Sequence, residues 1–98
     1  LAERPTAALR LLETEEAKSL FNKTEYDALQ AEIAESYFFN QKPDKALTLA
    51  SASLSRSGKD VPKAGWIAGL SAWKASDYAA AASYFETAAR SPRVSAWM

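Results

Sequence analysis

The sequence predicts an all-α protein built from antiparallel helix pairs. Three observations predict it. Between Pro5, Pro43, Pro62 and Pro92 the apolar residues recur at helical spacing, and no stretch sustains the alternation of a strand. Glycine is scarce, while alanine and leucine are frequent. Two stretches of the chain also repeat at one fixed offset.

A first helix is expected from Pro5, since proline suits a first helical position where its missing N–H has no intrahelical partner. Ala8, Leu9 and Leu12 supply its buried stripe. Thr14 followed by Glu15 and Glu16 reads as a second start, because carboxylates favour the positive end of the helix dipole. That short helix should end near Phe21 and Asn22. Thr24 is expected to open a longer helix, with Asp27 three residues on as its capping-box partner. Tyr26, Leu29, Ile33 and Tyr37 would form its buried stripe, with Glu25, Glu32 and Ser36 elsewhere.

Asn40, Gln41 and Lys42 read as a turn. Pro43 and Asp44 start the next helix, with Ala46, Leu47, Ala50 and Leu54 inside. Gly58 sits where a left-handed helix stop is expected. Pro62 starts another helix, with Trp66, Leu70 and Trp73 on one face and Ile67 beside them. Ser76 and Asp77 make a tight turn, Asp77 being the expected N-cap. Tyr78, Ala81, Phe85 and Ala88 line the following helix, which Ser91 and Pro92 end. Ser95, Ala96, Trp97 and Met98 read as the start of one more apolar helix face.

The repeat has an offset of 35 residues: Ala34 matches Gly69, Ala46 matches Ala81, and Ser53 matches Ala88. Small residues recur because crossing helices need them where backbones approach. A period of about 34 is that of tetratricopeptide-type helix-turn-helix repeats. The expected architecture is therefore a right-handed superhelical solenoid of such pairs, in which each pair buries a face on its neighbour. Units fall at about 24–58 and 61–92, flanked by helices within 5–22 and a truncated helix from 93. All of 1–98 reads as one domain cut from a longer protein. The second unit is the fuller, and Ala50 stands in the first where Phe85 stands in the second. Gly69 is the expected close-contact position, where Ala would be tolerated and Leu would overpack.

Composition excludes several functions. Lys plus Arg and Asp plus Glu are both 12, giving no net charge. No basic cluster exists to displace the counterions of a nucleic acid or to hold a membrane surface. The apolar runs fall far short of the roughly 20 residues that span a bilayer. With no Cys and no His, disulfides, thiol nucleophiles, most zinc sites and histidine-based triads are removed together. A glycine-rich phosphate loop is absent. No catalytic, cofactor-binding or metal-binding residue is assigned.

The words Ala64-Gly65-Trp66-Ile67-Ala68-Gly69-Leu70 and Ala72-Trp73-Lys74 carry a family resemblance. Within PKAGWIAGLSAWKASDYAAAASYFETAARSP (62–92), and with the preceding LQAEIAESYFFNQKPDKALTLASASLSRSG (29–58), they resemble the superhelical, tetratricopeptide-like domain of bacterial soluble lytic murein transglycosylases, of the alphaproteobacterial kind. The resemblance covers roughly residues 5 to 98. It implies a periplasmic parent that cuts peptidoglycan glycan without water, leaving a 1,6-anhydro end. In that family a single glutamate of a separate lysozyme-like domain is acid and then base. Its Glu-Ser pair is followed by a Gly-Leu-Met-Gln segment, which this chain lacks.

The chain itself is thus expected to be a non-catalytic scaffold. Its partners would be the parent's catalytic domain, peptidoglycan or another protein, with self-association through its cut ends. A tetratricopeptide-like adaptor unconnected with the cell wall is the alternative. Glu35-Ser36 mimics the catalytic pair, but Glu35 reads as a solvated residue of an amphipathic helix, outside any sugar cleft. Trp66 and Trp73 read as core rather than as sugar platforms. Gly65 and Gly69 read as soluble helix packing rather than a membrane motif. Glu13, Glu15 and Glu16 read as a solvated helix start.

Overall fold

The structure is a computed structural model that describes residues 4–90. Six helices follow in order: α1 Arg4–Leu12, α2 Glu15–Leu20, α3 Lys23–Phe39, α4 Pro43–Ser57, α5 Pro62–Lys74 and α6 Tyr78–Ala89. A short 3-10 turn, Gly58–Asp60, joins α4 to α5. No strand occurs among the described residues. The helix expected from 93, with Pro92, Trp97 and Met98, lies outside them.

Local chemistry sets most boundaries. Thr14 caps α2 by accepting the Ala17 N–H. Pro43 and Pro62 each stand in the first turn of their helices. Asp77 caps α6 by accepting the Ala80 N–H at 3.2 Å. Gly58 ends α4 at φ +54°, and a Cβ there would meet nothing within 4 Å. The glycine therefore answers to backbone conformation alone.

The start of α3 differs from expectation. Asn22, not Thr24, is the N-cap. Its Oδ1 accepts the Glu25 N–H at 2.8 Å, and Glu25 Oε1 accepts the Asn22 N–H at 3.0 Å, closing the capping box. Asp27 lies a turn further in and is fully buried. Arg56 Nε donates to its Oδ1 at 2.7 Å and Ser57 Oγ to its Oδ2 at 2.6 Å. A residue read as a cap is thus a buried tie between the start of α3 and the end of α4.

α3 and α4 pair, as do α5 and α6; α5 also packs on α4 and α3, and α1 on α3. The main core joins Leu12, Ile33, Tyr37, Ala46, Ala50 and Ile67. Tyr37 is fully buried, and its hydroxyl lies 2.9 Å from Thr6 Oγ1, tying α1 to α3. Because α3 is covered by α1 on one side and by α4 and α5 on another, its burial spreads beyond one stripe to Gln30, Ala31 and Ala34. Leu29 and Ala8, both expected inside, are exposed.

α5 departs most from its sequence reading. It meets three helices, and at such crossings small residues permit close approach. Ala64, Gly65, Ala68, Gly69 and Ala72 are accordingly buried. Trp66 is left half-buried, its ring centroid 5.4 Å from that of Phe85. Leu70 and Trp73 face outward, Trp73 at 59% exposure, so Trp73 is not core. Tyr78 of α6 is likewise exposed.

The offset of 35 reappears in the geometry. Ala34, Gly69, Ala46, Ala81, Ser53 and Ala88 are all buried. Gln41 and Ser76 take the left-handed conformation at φ 65° and 64°. Lys42 N–H donates to the Tyr37 carbonyl and Asp77 N–H to the Ala72 carbonyl, both at 2.9 Å. Each is the six-to-one bond of a Schellman helix end. Both helix pairs therefore reverse the chain through the same turn.

Candidate interaction surfaces

Glu35 lies on α3, where α5 crosses it, and is partly buried. Its Oε1 accepts from Lys63 Nζ at 3.2 Å, and Glu32 Oε1 accepts from the same ammonium at 2.7 Å. Burial alone would lower the Lys63 pKa. Hydrogen bonds and charge attraction from the two carboxylates outweigh it and hold the pKa above the usual 10.5. Glu35 is therefore one arm of an ion-pair cluster linking α3 to α5, rather than the freely solvated residue expected. The arrangement ties the two helices together.

The aromatic residues do form a surface. Trp73 and Tyr78 pack edge to face, with centroids 5.0 Å apart, at the turn joining α5 to α6. Both are more than half exposed. Phe39, at the end of α3, is 67% exposed. Sequence periodicity put Trp73 and Tyr78 inside because it counts hydrophobicity without asking which face the small residues claim.

Sequence reasoning did not find an apolar groove beside α3. A groove of about 430 Å³ runs between α1–α2 and α3. Leu11, Leu12, Leu20, Phe21, Leu29 and Ile33 line it, with Glu16 and Glu32 among its few polar residues. Leu11 and Leu12 of α1 and Glu16, Ala17 and Leu20 of the six-residue α2 form one wall, and Leu29, Glu32 and Ile33 of α3 the other. The signal in the sequence was the surplus of leucines at Leu11 and Leu20, which the stripe Ala8, Leu9 and Leu12 leaves out.

A second groove, of about 410 Å³, lies on the far side of α2. Lys18, Lys23 and Arg56 line it together with Tyr26 and the buried Asp27. Glu13, Glu15 and Glu16, read as a solvated cluster, are all exposed. No helix among the described residues is long and apolar enough to cross a membrane. No protein-family model matches the chain, and comparison with curated proteins and with solved structures gives no match either.

Proposed function

We propose that this chain is a non-catalytic helical-repeat segment, of the tetratricopeptide-like superhelical kind, that works by presenting surfaces to partners. The observation that carries this reading is the recurrence of one turn geometry and one set of close-packed positions at an offset of 35 residues. Stacked helix pairs of this design bury their faces on neighbours and leave grooves and edges for binding. The described residues supply such grooves, and Glu35 is engaged in a structural ion pair.

Within that reading we assign the segment to a periplasmic protein of peptidoglycan cleavage. Support for this narrower step is the resemblance of residues 62–92 to the superhelical domain of lytic murein transglycosylases. The segment would position a separate catalytic domain or hold the glycan. For glycan, Trp73 and Tyr78 offer exposed ring faces, on which sugars stack. A cell-wall-independent adaptor is the second reading, favoured by the apolar groove on α3, whose lining suits a protein better than a polysaccharide.

Co-sedimentation with purified peptidoglycan sacculi tests the assignment. The chain is expected to pellet with sacculi, and Trp73→Ala to pellet less while melting at the same temperature. Pelleting no greater than that of an unrelated helical protein of equal size removes the cell-wall assignment and leaves the adaptor.

A further inference from the structure

We infer that the groove between α1–α2 and α3 receives an amphipathic helix of a partner protein, one whose apolar stripe is flanked by Lys and Arg. The inference rests on reading the chain as an interaction segment and names the partner that one of its surfaces fits.

Apolar exposure is the first argument. Leu11 is 72% exposed, Leu20 76% and Leu29 38%, and all three border the one groove. Single exposed leucines are ordinary, but three converging on a concavity floored by the buried Leu12 and Ile33 mark a contact site. The second argument is shape. The walls are helices, and a channel between helices matches the ridge of another helix, which reads as apolar residues at i, i+3, i+4 and i+7.

Charge selects among helices. Glu16 and Glu32 are the charged residues of the lining, and no cation is among them. Glu13 lies in the adjoining turn and Glu15 opens α2, and Glu13, Glu15 and Glu16 make no ion pair with other described residues. The nearby Lys18 lines the other groove. Glu32 is held by Lys63, so it is Glu16, with Glu13 and Glu15 beside it, that gives the apolar channel an acidic edge, which favours a stripe with basic flanks and repels one with acidic flanks.

A fluorescein-labelled peptide of about 15 residues, with leucines at i, i+3, i+4 and i+7 and lysines beside them, is the probe. Anisotropy is read against this chain at low and high salt. Binding is expected, weakened by salt, at least about tenfold tighter than for the same composition scrambled. The acidic-flanked version should bind more weakly. Leu11→Ser with Leu20→Ser should weaken binding about tenfold or more without changing the melt, since both side chains are largely exposed. Glu16→Lys should narrow the preference for basic over acidic flanks.

Equal binding of the scrambled peptide, or binding indifferent to Leu11 and Leu20, overturns the proposal. So does a concentration-dependent dimer that Leu11→Ser with Leu20→Ser abolishes, because the groove's occupant would then be a second copy. The peptide assay contains no peptidoglycan, so its failure leaves the sacculus result standing, and the reverse also holds.

Discussion

Gln41 and Ser76, 35 residues apart, both sit in the left-handed region, at φ 65° and 64°. Each occupies the position after a helix end where glycine is the usual residue. For a residue with a Cβ this conformation costs roughly 1–2 kcal/mol. Gln41→Gly and Ser76→Gly should each stabilise the chain, by about 1 kcal/mol once the greater freedom of an unfolded glycine is deducted. A thermal scan would show each melting several degrees higher, on the order of 4–8 °C per kcal/mol for this size. Unequal signs at the two positions would mean that the turns are not equivalent.

Gly65 and Gly69 should behave differently from each other. A Cβ on Gly65 would lie 2.8 Å from the Ala88 Cβ and 3.0 Å from the Tyr84 carbonyl oxygen. Backbone cannot step aside cheaply, so Gly65→Ala should cost about 1–3 kcal/mol. At Gly69 the obstacle is the Phe85 ring, whose Cδ1 would be 2.5 Å away. That ring is half-buried and can turn, so Gly69→Ala should cost less, though it is no longer the tolerated change the sequence implied. Gly69→Ala combined with Phe85→Leu should recover stability in a denaturant titration.

The tie between α3 and α4 makes a third case. Asp27 is fully buried, while the Arg56 side chain is 43% exposed. Arg56→Ala leaves the carboxylate with Ser57 alone and should cost about 3 kcal/mol, the lower end for breaking a buried pair. Asp27→Asn, which keeps a polar group for Ser57 and frees Arg56 toward solvent, should cost less. Urea unfolding of the three proteins would rank them, and equal stability of Arg56→Ala and wild type would contradict the buried tie.

Lys63 gives the pH dependence. Its pKa is raised in the folded chain above the ordinary 10.5. The unfolded chain therefore loses this proton first as pH rises. The stability contributed is fully present below the ordinary value and disappears as pH climbs through the raised one. Melting temperatures of wild type and Lys63→Met, measured from about pH 8 to about pH 12, should converge at the alkaline end. A gap that stays constant across that range would show that the Lys63 ammonium is not the cause.

How much of this could be read from the chain follows from what each signal depends on. Pro43, Pro62, Thr14, Gly58 and Asp77 act through local backbone chemistry, and they stand where the sequence places them. The repeat positions are legible because Ala34, Ala46 and Ser53 match Gly69, Ala81 and Ala88 in size, and all six are buried. Asp27 was misread because a carboxylate three residues after Thr24 satisfies the capping pattern. Only the tertiary approach of Arg56 reveals its place. Trp73 was misread because α5 meets several helices at once, and the faces given to Gly65 and Gly69 leave the large rings outside. The leucine groove depends on how α1 and α2 sit against α3, a matter of chain geometry that hydrophobic spacing does not encode.

The central claim, that this chain acts by binding and holds no active site, is tested most directly by incubating it with purified peptidoglycan. Soluble products are then analysed for 1,6-anhydro-muropeptides by liquid chromatography and mass spectrometry. Glu35 is held by Lys63 at 3.2 Å as part of a helix-to-helix ion pair, with Glu32 sharing the same ammonium. The account predicts no anhydro-muropeptide above the protein-free background, for wild type and for Glu35→Gln alike, with the variant folded and only slightly less stable. Release by wild type that vanishes in Glu35→Gln would contradict it.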